Sequence, residues 1–461
     1  MNDNKLLSEK KLQPVLSLKD LIIYGLILIQ PVAALPLYGH ATSLSHGHAV
    51  TCILIAMIGM IFTAFSYGKM ANRYVAAGSA YTYVSKGLHP YPGFIAGWCM
   101  FMDYMFLPII CIIYCGITAH HLVPIIPYIL WLFLFASLFT SLNLKGLKIA
   151  AIANWILMII MSLVVFYFMA AAIEYIVARK GLNNLFSLHP FYAPGNFSWK
   201  SIASATSLAA LTYIGFDGIT TLSEEVKNPK RNVLLAAVLT CVITGIWSGA
   251  QVYLAQLTWP NWISFTNGLK TDAAKNAALD TAIMSVAHRV GGSVLDVCLT
   301  FVLLLASVGS GITGQIGASR LLYGMGRDNI IPKKFFGYLD KKYSNPSYNI
   351  ILIGVLAVIS SLLFNYEECA RLINFGAFFA FMAVNLAMMR EYYFRKNEKT
   401  FKDLLVNFLP AMLGFAVCLF IWLNLPLKTF IIGGAWMLIG IIYLAVRTKG
   451  FQKQTPVISF S

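Results

Sequence analysis

Long apolar runs, separated by short polar stretches, recur near residues 20–44, 49–68, 92–119, 125–143, 150–178, 201–222, 233–257, 292–318, 348–364, 370–391, 404–423 and 428–447. An α-helix needs roughly 20 apolar residues to cross a bilayer, so the pattern predicts about twelve membrane spans. The stretches between them leave no room for a soluble domain. The longest, 258–291, is mildly polar, and "TDAAKNAALDTAIMSVAH" within it predicts a short helix. Residues 1–17 and 448–461 read as tails. The polar start leads into a full-length span with no small-residue cleavage site, so no signal peptide is expected.

Two spans carry interruptions. The first, "DLIIYGLILIQPVAALPLYGHATSL", contains Pro31, Pro36 and Gly39, and the sixth breaks at "GFDG", residues 215–218. Proline removes a helix hydrogen bond and glycine weakens the helix, so both segments are expected to unwind near mid-membrane, unless they are ordinary kinks. Paired breaks at corresponding places in two halves point to a secondary transporter built from inverted repeats. Unwinding bares N–H and C=O groups, and half-helix ends then attract ions. In the first span the bared stretch is Gln30, Pro31, Val32 and Ala33.

Composition agrees with a membrane protein: of 461 residues, 59% are hydrophobic and 11% charged, against about 25% charged in soluble domains. The net charge is +16. Most Lys and Arg fall on the side of the N-terminus, which predicts cytoplasmic N- and C-termini in a multi-pass protein of the cell (inner) membrane. The positive charge then reflects topology and contact with lipid headgroups, not nucleic acid. The eight cysteines are scattered, without a CxxC pair or a Cys/His cluster at zinc spacing, so neither disulfides nor a metal are expected. No cofactor is expected: "GSGITG" at 309–314 matches a dinucleotide fingerprint but lies inside a span. Without a Ser/His/Asp or metal constellation an enzyme is disfavoured, and a channel would show pore-lining repeats.

The chemistry then rests on acids in the apolar core. Asp103 in the third span and Asp217 in the sixth have no Lys or Arg at comparable predicted depth. Such a carboxylate must hold a proton or meet an external cation. Beside Asp217 stand Gly215 at the break and Phe216 and Tyr213, whose rings offer cation–π attraction to an ammonium; the alternative is that Asp217 caps the second half of its own helix. Asp103, next to Tyr104, could reach a second ammonium or pair with a neighbouring hydroxyl. Glu224, Glu225 and Lys227 read as a gate or salt-bridge cluster at the inner end of the sixth span. Ser307, Ser310 and Thr313 offer hard oxygens for a sodium ion, or merely small surfaces for helix packing. His40, near the outer end of the first span, is a hydrogen-bonding or pH-sensing group.

Three long blocks carry a family resemblance. "YIGFDGITTLSEEVKNPKRN" at 213–232, "YGKMANRYVAAGSAYTYVSKGLHPYPGFIAGW" at 67–98 and "ASRLLYGMGRDNIIPKKF" at 318–335 resemble signatures of the amino acid, polyamine and organocation transporter superfamily. Within it, "DYMFLPI" at 103–109 and "LINFGA" at 372–377 are similar to bacterial putrescine importers. The resemblance implies an all-α integral membrane protein with a LeuT-like core: two inverted five-helix repeats, 18–180 and 198–392, plus peripheral helices at 403–447. It implies import of a cationic amine such as putrescine, coupled to protons through Asp217, by alternating access. A neutral or cationic amino acid permease or exchanger, or a sodium-coupled symporter, is the alternative. Expected partners are the small solute, protons and lipid, in a monomer or homodimer. Two departures bear on this: "QPVAALP" at 30–36 replaces the glycine-rich break that binds a substrate carboxylate in many amino acid carriers, and "AAIANWILMIIMSLVV" at 150–165 lacks the lysine some proton-coupled relatives carry.

Overall fold

The structure, a computed structural model, describes residues 16–74, 80–146, 151–327, 331–340, 342–343, 345–396 and 398–452; the side chains of 151–154 and of Glu224 lie outside that description. Among the described residues all named elements are helical, and β-pairing is confined to a single bridge between Leu16 and Val226. Among the described residues nine helices are long and apolar enough to cross a membrane. Two shorter apolar helices, Tyr128–Leu144 and Ser347–Leu363, and an interrupted pair, Leu18–Ile29 with Tyr38–Leu44, complete the twelve segments that the apolar pattern predicts. The chain is an all-α multi-pass membrane protein.

The spans divide by burial into an inner group and a rim. The tenth, Tyr366–Phe394, has 83% of its most apolar window buried, whereas the eleventh, Phe401–Leu423, has 28% and the twelfth, Leu427–Arg447, 22%. The third span, Pro90–Leu122, packs against both the eighth, Ala282–Arg327, and the tenth. Small residues permit this closeness: a methyl group on Gly376 would lie 2.3 Å from the Cys99 carbonyl oxygen of the third span. Seven of the eight cysteines are buried and Cys298 is exposed, all of them unpaired.

Both predicted breaks are present. The first span stops at Ile29, Gln30 adopts φ 71°, and residues 31–37 run as turns before Tyr38. The sixth runs as Trp199–Ala209, tightens to a 3₁₀ turn at Ala210–Tyr213, extends at Ile214, and restarts after Gly215 as a second 3₁₀ segment, Phe216–Glu225. Gly215 has φ 117°, a left-handed conformation that side chains oppose. The bared Pro31 carbonyl is not left orphaned. Trp247 Nε1 and Gln251 Nε2 of the seventh span, Pro229–Thr258, donate to it at 2.9 and 3.0 Å.

The eighth span departs from the predicted 292–318. Its helix begins ten residues earlier, across a break at Gly292 (φ 63°), and continues to Arg327. Beyond residue 318 the sequence is amphipathic rather than apolar: Leu321, Leu322 and Met325 bury against Phe94 and Phe101, so tertiary packing carries the helix on. The linker before it holds two short helices, Trp262–Asn267 and Asp272–Asp280.

Candidate functional site

A cavity of about 510 Å³ lies where the two breaks meet the third and eighth spans. The first span contributes Tyr24, Gln30, Pro31 and Ala33; the third, Asp103, Tyr104 and Tyr114; the sixth, Gly215 and Asp217; the eighth, Ser307, Ser310, Thr313 and Arg320. On the third span Asp103, Leu107, Ile110, Cys111 and Tyr114 follow helical spacing, so one stripe faces the void. That periodicity is the signal by which Tyr114 could have been found from Asp103.

Asp217 is 9% exposed and Asp103 8%. The two carboxylates and Tyr104 line the same cavity. Among the described residues neither is paired with a Lys, Arg or His. The N–H groups of Gly215, Asp217 and Gly218 turn toward the Asp217 carboxylate.

Three predicted contacts point elsewhere. Phe216 is fully buried, its ring centre 5.5 Å from that of Tyr67 and 5.3 Å from that of Phe381. Tyr213 is likewise buried, and its hydroxyl donates to the Ile53 carbonyl at 2.8 Å. Val32, 2% exposed, packs in the core. In a 3₁₀ segment, with three residues per turn, successive side chains diverge by about 120°, so Phe216 cannot share the outlook of Asp217. The aromatic wall of the cavity is instead Tyr24, Tyr104, Tyr114 and Tyr366.

The expected absence of a basic group is corrected too. Arg320 lines the same cavity, because the eighth helix runs past the end of its apolar stretch. Of the predicted gate cluster, Glu225 and Lys227 form no ion pair with a described residue, and the side chain of Glu224 is outside the described set. The tie at that end is made by backbone: Leu16 N–H donates to the Glu225 carbonyl and Lys227 N–H to the Leu16 carbonyl, both at 2.9 Å. It joins the start of the first span to the end of the sixth.

The hydroxyls of the eighth span sit on the cavity wall. Ser307 and Thr313 each donate to a carbonyl one turn back, at 2.9 Å. Gln30 Nε2 donates to Ser310 Oγ at 2.8 Å and to the Ala306 carbonyl at 3.1 Å. A donor amide thus rests on Ser310, one of the three hydroxyls offered for a sodium ion.

At the end away from the N-terminus the cavity lining ends in Tyr114 and Tyr366, both buried. The rings of Tyr114 and Tyr366 lie 5.1 Å apart, centre to centre. Next to Tyr366, His40 bridges two acids, with Nε2 2.8 Å from Asp280 and Nδ1 3.1 Å from Glu367, while Arg371 Nε donates to Glu367 at 2.8 Å. This network joins the second half of the first span, the linker helix and the tenth span. Sequence spacing gives no hint of it, since the partners are 240 and 327 residues from His40. Among the described residues no group of three or more His, Cys, Asp or Glu could hold a metal.

Known proteins align with the chain along nearly its full length. It is 34% identical to the low-affinity putrescine importer PlaP of Escherichia coli, over 97% of each chain. It is 26% identical to the branched-chain amino acid permease BcaP of Lactococcus lactis, again over 97% of each. The methylthioribose transporter of Bacillus subtilis is 23% identical, over 95% of each. The amino acid permease family profile matches residues 21–446, and the chain belongs to that family of membrane transporters.

Proposed function

We propose that the protein imports a small organic cation of the putrescine class by alternating access, with Asp217 receiving an ammonium group and Asp103 a second one. The observation that carries this reading is the pair of buried carboxylates, neither in an ion pair with a described residue, facing one cavity. A desolvated carboxylate without a countercharge is costly, and a cationic guest removes the cost. Tyr104 and Tyr114 supply aromatic faces to the guest's charge. The likeness to a putrescine importer supports the same solute class.

The excess of Lys and Arg on the N-terminal side supports a cytoplasmic N-terminus. On that orientation the tyrosine and histidine end faces outward and would be the closed side of an inward-facing conformation. The two halves, 18–180 and 198–392, would act as the inverted repeats, each contributing one broken span to the site. Each positive charge moved inward gains about 2.3 kcal/mol per 100 mV of inside-negative potential, so import is the downhill direction for a dication. In the empty carrier Asp217 is the group that would take up a proton, giving proton coupling.

A second reading, transport of an amino acid, is favoured by Arg320, which could meet a substrate carboxylate, and by the amino acid permeases among the relatives. The deciding experiment is uptake of labelled putrescine into proteoliposomes, competed by ornithine, lysine, agmatine and neutral amino acids, at several pH values with and without Na⁺. Diamine-selective uptake unchanged by removal of Na⁺ supports the first reading. Competition only by α-amino acids supports the second.

A further inference from the structure

We propose that Arg320 is an electrostatic barrier at the N-terminal mouth of the cavity, weakening the binding of cationic cargo from that face in proportion to the cargo's charge. The proposal rests on the amine reading above. Arg320 is the single Lys or Arg among the described lining residues. It is exposed and forms no hydrogen bond or ion pair with a described residue, so its charge is not neutralised locally.

Its position fits the role. Thr313, Gly317 and Arg320 lie on one cavity-facing strip of the eighth span, with Arg320 one turn nearer the N-terminal face than Gly317. Gly317 abuts Tyr104: a methyl group there would be 3.4 Å from the ring. Tyr104 in turn adjoins Asp103, so Arg320 stands on the N-terminal side of the acid site along that strip, and Gly317 places no side chain between them. A guanidinium stays charged at all accessible pH, so the barrier does not titrate. Cargo moving from the acids to the mouth meets a like charge, and cargo returning from that side meets it first. The result is asymmetry: binding from the opposite face, with the mouth shut, does not pass the barrier.

For like charges about 9 Å apart, at effective dielectric constants between those of a protein surface and water, the penalty corresponds to roughly 2- to 20-fold in affinity per unit of cargo charge. A dication should show about the square of the effect seen with a monocation. The test is zero-trans transport of putrescine and of butylamine by Arg320→Gln, Arg320→Lys and unmodified protein in vesicles of both orientations. For Arg320→Gln we expect half-saturation at the N-terminal face to fall by that factor for butylamine and by about its square for putrescine, with values at the opposite face unchanged. Arg320→Lys should behave as the unmodified protein. Raising the salt concentration should lower the N-terminal-face value in the unmodified protein, which tests the idea without any mutation. Equal changes at both faces, equal changes for the two amines, or no change overturns the proposal. So does loss of ornithine transport in Arg320→Gln with both amines unaffected, which would make Arg320 a carboxylate partner. If the unmodified protein moves neither amine in either direction, the amine reading itself is wrong and the barrier falls with it.

Discussion

Asp103 of the third span and Asp217 of the sixth face one cavity, each less than a tenth exposed and neither matched by a basic side chain among the described residues. Their separation in sequence, and the different helices that carry them, suit a guest with two positive ends. Asp103→Asn should therefore weaken a diamine far more than a monoamine. A hydrogen bond to a charged group contributes about 1.5–3 kcal/mol, so putrescine uptake should lose roughly 10- to 100-fold in apparent affinity. Butylamine uptake should change by less than about 3-fold. Competition assays on the same vesicles measure both.

Gly215 is the hinge on which that geometry depends. Its φ of 117° is costly for any residue with a Cβ, while the space around it is not tight: the nearest atoms to an added methyl group are 3.6 Å away. Gly215→Ala should thus act through the backbone, costing about 1–2 kcal/mol by displacing the start of the Phe216–Glu225 segment. The expected result is a lowered melting temperature together with loss of uptake, measured by thermal unfolding in detergent and by transport. Gly434, which has open space around it and lies outside the cavity lining, should tolerate alanine in both assays.

Much of this was legible in the sequence, for identifiable reasons. A membrane span needs an apolar run whatever it packs against, so the segments could be counted without knowledge of contacts. Pro31, Pro36 and the glycines of "GFDG" act on their own backbone, so the breaks were legible as well. What failed depended on direction or distance. Phe216 adjoins Asp217 in sequence, yet the 3₁₀ backbone turns it into the Tyr67 and Phe381 cluster. Arg320 was placed beyond the membrane because the apolar stretch ends before it, but burial of Leu321 and Leu322 holds the helix together. The contact of His40 with Asp280 joins a span to a linker helix, and no periodicity encodes it.

The tyrosine and histidine end offers a further test. Glu367 holds both His40 and Arg371, so Glu367→Gln should weaken the network at nearly constant size. Cys111 lines the cavity and is a built-in reporter of access, once exposed Cys298 is replaced by serine. With Glu367→Gln, a membrane-impermeant maleimide applied from the face opposite the N-terminus should label Cys111 several-fold faster, and putrescine should slow that labelling. An unchanged rate would assign the closure to Tyr114 and Tyr366 alone.

The most direct test of the central claim is equilibrium binding of labelled putrescine to purified protein with Asp217 and with Asp217→Asn, both checked for intact folding by thermal unfolding. The account predicts saturable binding by the unmodified protein and loss of at least roughly 10- to 100-fold in affinity in the variant, whose amide keeps the shape but not the charge. Equal affinity in the two proteins would contradict it, for the ammonium would then be held by some other group.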